Sequence, residues 1–225
     1  MRLHWSPRSP FVRKVLVAAY EAGIADRLEL VRTVVASTQP NLDLLRENPL
    51  GKLPTLTLQN GASIFDSTVI IEYFATFVAP DCTLLPKDPA DRLVALQYES
   101  LGDGLLDLLL QWLGERKRPR DSQSEALLAA NAVKFAHVID YIDAAVPELL
   151  ARPFDIGHVT IGCALSYVGF RFSDLPWQEG HPVLASWLAD FCQRPSVLAV
   201  PVIDDLDAPI MPPAPGVGGL SQRSE

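Results

Sequence analysis

The twenty residues from Asn48 to Ser67, NPLGKLPTLTLQNGASIFDS, leave little freedom in how the surrounding chain folds. Asn48-Pro49 and Gly51 are turn formers, and Leu53-Pro54 stands directly before the alternating run Thr55-Leu56-Thr57-Leu58. A strand therefore starts there, with a proline at its first position, where a missing N–H is tolerated. Asn60-Gly61 supplies the two positive-φ positions of a tight hairpin, and Ile64-Phe65 returns as a second short strand. Asp66-Ser67-Thr68 breaks the alternation and opens an apolar run of helical period through Val69, Ile70, Tyr73, Phe74 and Phe77.

Upstream, Arg2 to Trp5 reads as a strand that runs into the turn Ser6-Pro7-Arg8-Ser9-Pro10. Ser9 is a good helix N-cap and Pro10 fits the first helical position. Phe11, Val12, Val15, Leu16 and Ala19 then form an apolar stripe, Gly23 ends the helix, and Leu28 to Val31 is the next strand. Arg8 and Arg13 read as solvated charges at the helix end. Pro40 to Glu47 is a short polar helical piece, so the first 78 residues run β-α-β-α-β-β-α. That order is thioredoxin-like, with a right-handed crossover expected.

Residues 79–89, APDCTLLPKDP, form a proline-rich linker and place a domain boundary. Beyond it apolar residues recur at helical spacing over 90–114, including Leu93, Leu96, Leu101, Leu105, Leu108 and Leu109, and again over 124–150. Residues 154–172 are the most apolar helix and are expected to pass through the centre of the second unit, followed by a helix from His181-Pro182 to near Arg194-Pro195. The expected fold class is an α/β N-terminal thioredoxin-like domain, residues 1–78, followed by an all-α C-terminal helical bundle, residues 90–200. Residues 201–225 change to Pro, Gly and Asp and read as a loosely draped tail.

Composition removes several classes of function. A net charge of −8 and a pI near 5.0 argue against nucleic acid as the main partner, since phosphate binding needs concentrated Lys and Arg. No apolar run reaches the ~18 residues of a membrane span, and the start of the chain lacks the pattern of a secretory leader, so a soluble cytoplasmic protein is expected. Cys82, Cys163 and Cys192 are odd in number and far apart, which gives neither a disulfide framework nor a zinc site. His4, His137, His158 and His181 lie in unrelated segments without ligand spacing, so no metal is implied.

Taken singly, Ser9-Pro10, Leu53-Pro54 and Asp66-Ser67 are a cap, a strand start and another cap. Together with the hairpin between the last two, they resemble the glutathione transferase family, of a bacterial, serine-type, theta-like or YibF-like kind. SPRSPFVRKV resembles the active-site loop of such enzymes, with Ser9-Pro10-Phe11 where related thiol transferases carry Cys-Pro-aromatic. The resemblance covers roughly residues 1–200 and is more specific in the first domain. It implies glutathione as co-substrate, with Ser9 as the catalytic hydroxyl that donates to the thiolate and Ser6 as the competing hydroxyl in the same loop. It implies that Leu53, before a cis Pro54, presents its backbone to the cysteinyl part of glutathione. Asp66 and Ser67 would receive the γ-glutamyl end, and Lys52 would face the glycyl carboxylate.

The second domain adds looser expectations. Asp103, in SLGDGLLD, interrupts an apolar stretch and needs a partner if buried; the resemblance gives it the γ-glutamyl amine, often across a homodimer interface. Tyr98, Trp112 and Arg116 either border the electrophile pocket or are plain core. The family usually starts its central helix with Ser or Thr and places Asp three residues later. Here Asp155 and His158 stand instead, with His158 expected to be a poor return partner for the cap. The function implied is a dimeric transferase acting on glutathione and a small hydrophobic electrophile, in addition, halide displacement, ether cleavage or isomerisation. A non-catalytic binding or regulatory module on the same fold is the competing class.

Overall fold

A computed structural model describes residues 1–36 and 38–205 of the 225-residue chain. The N-terminal part contains a four-stranded mixed sheet: β1 (Arg2–Trp5), β2 (Glu29–Arg32), β3 (Thr55–Thr57) and β4 (Ser63–Ile64), in the order β2-β1-β3-β4. Strand β1 runs parallel to β2 and antiparallel to β3, and β3 runs antiparallel to β4. Three helices accompany the sheet: α1 (Pro10–Glu21), α2 (Leu42–Glu47) and α3 (Ser67–Tyr73). A π-helical turn, Phe74–Val78, follows α3. Helix α1 stops where the sequence places Gly23: this residue has φ +68, and the Ile24 N–H returns to the Ala19 carbonyl at 2.9 Å. That bond closes the last turn in a left-handed cap.

The helical part comprises α4 (Pro89–Arg116), α5 (Glu125–Ala151), α6 (Ile156–Arg171), α7 (Trp177–Gly180), α8 (Pro182–Cys192) and α9 (Pro195–Leu198). Asp88 caps α4 by accepting the Ala90 and Asp91 N–H groups, and Ser124 caps α5 through the Leu127 N–H. Helix α6 is buried over nearly its whole length and packs against both α4 and α1, so it joins the two halves. Its crossing with α4 depends on small residues. A Cβ on Gly102 would stand 2.7 Å from Thr160 Cγ2, and one on Gly157 would stand 2.6 Å from Tyr98 Cβ.

Three expectations change. Arg13 is not a solvated charge: it is 7% exposed, and its Nε donates to the Val200 carbonyl at 3.0 Å. Val69, Phe77 and Leu93, which belong to the apolar periodicity, face outward from α3, the π turn and α4. The expected tail divides. Residues 201–205 run back over the N-terminal part, whereas 206–225 lie outside the described residues.

His158 is a further correction, because it completes the cap it was expected to weaken. The Asp155 carboxylate accepts the Gly157 and His158 N–H groups at 3.0 and 3.3 Å, while His158 Nδ1 receives the Asp155 N–H at 3.2 Å. The imidazole therefore acts as the reciprocal partner of a capping box. Its Nε2 donates to the Leu149 carbonyl at 2.8 Å, tying the end of α5 to the start of α6. Burial pushes the Asp155 carboxyl up, but its bonds to His158 and Arg152 outweigh this and leave it below the usual carboxylate range. His158→Asp restores the family pattern yet removes the donor to Leu149 and sets two carboxylates side by side. We expect it to destabilise the chain by about 1–3 kcal/mol. A thermal melt should show a lower Tm; an unchanged or higher Tm would remove His158 from this role.

Candidate functional site

The strand register brings the three singled-out turns to one end of the sheet. His4 pairs with Thr55, so the chain leaving β1 through Trp5 and Ser6 runs beside Pro54 and Leu53. Leu56 pairs with Ile64, so the chain leaving β4 reaches Asp66 beside the same Leu53-Pro54 segment. Helices α1 and α3 both start at this end. Their free N–H groups and dipoles favour negative charge there.

Ser9 caps α1. Its Oγ accepts the Val12 N–H at 3.3 Å, which leaves the hydroxyl proton free to donate. Ser6 is 8% exposed, and its Oγ accepts the Arg8 N–H at 3.4 Å. The Leu53–Pro54 peptide bond is cis, as is that between Phe65 and Asp66. Leu53 is buried, whereas Lys52 is exposed. The main chain at Lys52 is fixed by Asn48, which the sequence marks only as a turn former. Asn48 is 1% exposed, and its Nδ2 donates to the Lys52 carbonyl at 3.1 Å and to Thr55 Oγ1 at 2.9 Å. Asp66 caps α3 by accepting the Thr68 N–H at 3.1 Å, and Ser67 is buried at the first helical position.

Asp103 has a partner that sequence reading missed. Lys14, fully buried on α1, places its Nζ 2.7 Å from Asp103 Oδ2 and 2.8 Å from Glu99 Oε1, both on α4. Thr68 joins this cluster: its Oγ1 receives Lys14 Nζ at 3.3 Å and donates toward Glu99 at 3.1 Å. The cluster thus ties α1, α3 and α4 together immediately behind Ser67. Two carboxylates share one ammonium, and Asp103 Oδ1 is buried without a hydrogen-bond partner among the described residues. Burial pushes the Asp103 carboxyl above its ordinary value, with Lys14 opposing the shift.

The three residues proposed to border an electrophile pocket are otherwise engaged. Tyr98 donates to Glu148 at 2.9 Å, and burial together with that carboxylate pushes its phenol up to about 12. Trp112 packs against Phe172 and Phe135, with ring centroids 5.1 and 6.0 Å away. Arg116 lies over Phe172 and pairs with Asp174 at 2.6 Å. The space beside Ser9 is bounded instead by Arg8, Arg13, Tyr167 and Val202. Among the described residues no group of three His, Cys, Asp or Glu side chains is placed to hold a metal ion, and no helix is long and apolar enough to cross a membrane.

This arrangement has relatives. A family model described as the glutathione S-transferase N-terminal domain matches residues 8–76. The uncharacterized GST-like protein YibF of Escherichia coli K12 is 31% identical over 199 residues, covering 87% of this chain and 96% of its own. A glutathione transferase family member from Pseudomonas fluorescens Pf-5, solved with bound glutathione, superposes with a TM-score of 0.85 at 35% identity, over 90% of this chain and 99% of that one. A glutathione S-transferase from Methylobacillus flagellatus, also solved with glutathione, gives 0.80 at 29% identity, over 90% and 99%.

The ionic cluster yields a stability test. Lys14→Met leaves two carboxylates without their buried countercharge, and removing one partner of such a group costs ~3–5 kcal/mol. Urea unfolding at pH 7 should show a loss of that size. Without Lys14 the Asp103 carboxyl rises further, so the folded state binds more protons than the unfolded one above the ordinary carboxylate range. The loss should therefore shrink as pH falls from 7 toward 5. A loss that is small, or that grows on acidification, would contradict the assignment.

Proposed function

Because this chain belongs to the glutathione transferase family, we propose that it activates glutathione as a thiolate for attack on a small electrophile. The observation that carries this reading is the meeting of the α1 cap, the Leu53-Pro54 turn and the α3 cap at one end of the sheet. In this proposal glutathione lies along that end. The Leu53 backbone pairs with its cysteinyl unit, and Lys52 neutralises the glycyl carboxylate. The γ-glutamyl carboxylate rests on Ser67 and the N-terminus of α3, and the ammonium meets Asp66. Asp103 adds negative charge to the ammonium side; its unpartnered Oδ1 supports that role.

Ser9 carries the chemistry. With its lone pair engaged by the Val12 N–H, the hydroxyl donates to sulfur, and the N-terminus of α1 adds positive potential. Both favour the thiolate over the thiol. The sulfur then forms a bond to the electrophilic carbon, and the leaving group departs with its electron pair or the adduct takes a proton from solvent. The chain's own groups are sufficient for this chemistry, which is proposed to take place in the cytoplasm without a metal. A homodimer is part of the same proposal. Val69 is 50% exposed, Phe77 74% and Leu93 68%, and the Arg92–Glu72 ion pair keeps the start of α4 beside α3. These apolar side chains would be covered by a second copy.

Ser9→Ala should leave glutathione affinity nearly intact but raise the pKa of the bound thiol. Turnover at neutral pH should fall by roughly 10² to 10³-fold, by analogy with deleting one donor from an oxyanion site. Part of it should return as pH rises. The check is ultraviolet titration of the bound thiolate in wild type, Ser9→Ala and Ser6→Ala, beside turnover of a generic aryl halide. A shift only in Ser6→Ala would transfer the role to that hydroxyl. Retention on immobilised glutathione without turnover would favour a non-catalytic binder.

A further inference from the structure

Beyond α9, residues 201–205 cross the loop that carries Ser9 and bring Asp204 among guanidinium groups. Asp204 Oδ2 accepts a hydrogen bond from Arg171 Nη1 at 2.6 Å. Its Oδ1 stands 2.9 Å from Arg8 Nε, though not aligned as a hydrogen bond. Arg8 immediately precedes Ser9, and Arg171 closes α6 with its guanidinium 3.8 Å from the Phe170 ring centroid. Arg13 supplies a third guanidinium. It is 93% buried by its 7% exposure, and its Nη1 has no hydrogen-bond partner among the described residues. Asp205 does not balance this charge, because it is engaged with Arg32 at 2.7 Å.

Two guanidinium groups, those of Arg8 and Arg171, therefore face the Asp204 carboxylate, and Arg13 lines the same small space as Arg8 and Ser9. The partly open space bounded by Arg8, Ser9, Arg13, Tyr167 and Val202 is about 10 Å³, room for at most one water. An acceptor that approaches Ser9 from this side has to displace the strap. The contact that must open is also the one easiest to exchange, since the Asp204 and Arg8 side chains are 38% and 29% exposed and ion pairs reached by solvent hold weakly.

We propose that the acceptor is an anionic electrophile whose carboxylate replaces Asp204 between Arg8 and Arg171. Its electrophilic carbon is thereby brought over the sulfur held by Ser9. Asp204 is then an internal stand-in that keeps the cradle charged and closed until an acceptor arrives. The substrate class rests on the transferase reading; the anion preference rests only on these side chains. For 4-chloro-3-nitrobenzoate the step balances as follows: the thiolate forms a C–S bond at the chlorinated carbon, that carbon's C–Cl bond breaks, chloride leaves with the electron pair, and the thiol proton has gone to solvent.

The test uses the full chain with saturating glutathione. Calorimetry compares 3-nitrobenzoate with its uncharged isostere 3-nitrobenzamide, neither of which reacts, in wild type, Arg171→Gln and Asp204→Asn. Turnover of 4-chloro-3-nitrobenzoate and 4-chloro-3-nitrobenzamide is measured alongside. The expected result is tighter binding of the benzoate in wild type, with the gap reduced roughly tenfold in Arg171→Gln and widened by a similar factor in Asp204→Asn. Asp204→Asn moves in the opposite direction, so misfolding of the Arg171 variant does not decide the outcome. Equal affinities in wild type, or a gap that Asp204→Asn leaves unmoved, overturn the cradle. A binding gap without turnover of either halide supports the cradle and contradicts the transferase reading. Turnover of both halides with no binding gap does the reverse.

Discussion

One buried ammonium holds the two halves of this protein in register. Lys14 lies on α1, its two carboxylate partners lie on α4, and Thr68 of α3 closes the group. Taking these charges out of water costs several kcal/mol each, repaid only when geometry and hydrogen bonding are good. The cluster is thus specific more than it is stabilising: α1 and α3 cannot slide on α4 without leaving charge unpaired. Ser9 is five residues before Lys14, and Ser67 directly precedes Thr68. Any device that fixes these two helix starts relative to each other fixes the proposed thiolate and γ-glutamyl positions together.

The backbone of the first half was legible because each break in it is made by a residue with a single local meaning. Gly23 takes positive φ where the helix ends, and Gly61 does so in the hairpin without Asn60, which was expected to join it; Ser9-Pro10 and Asp66-Ser67 start helices, and the alternation after Pro54 gives β3. The helical half was legible at the level of periodicity, and of its caps only Asp155 was read there; Asp88, taken as part of the linker, and Ser124 cap α4 and α5 in the structure. The closeness of α4 to α6 was not, because Gly102 and Gly157 reveal their purpose only when Thr160 and Tyr98 are seen to approach them.

What escaped the sequence has a common physical cause. Lys14 and Arg13 look like solvent-facing charges on an amphipathic helix, but α1 is covered from several sides by α3, α4, α6 and α9. A long basic side chain there has to find its counter-group from a distant segment, and sequence spacing carries no information about α4 or Val200. The same holds for His158, judged against a carboxylate at the third position of the helix. Its ring meets the cap with one nitrogen and the Leu149 carbonyl with the other, a second bond that an aspartate cannot make.

The claim most open to direct contradiction is that Ser9, Leu53 and Ser67 act on one bound glutathione. A crystal structure of the complete chain with glutathione, at a resolution that fixes the sulfur, measures it. The account predicts sulfur within hydrogen-bond reach of Ser9 Oγ, the cysteinyl unit paired with the Leu53 backbone, and the γ-glutamyl carboxylate on Ser67. Glutathione with its sulfur on Ser6, or seated away from this end of the sheet, would contradict it.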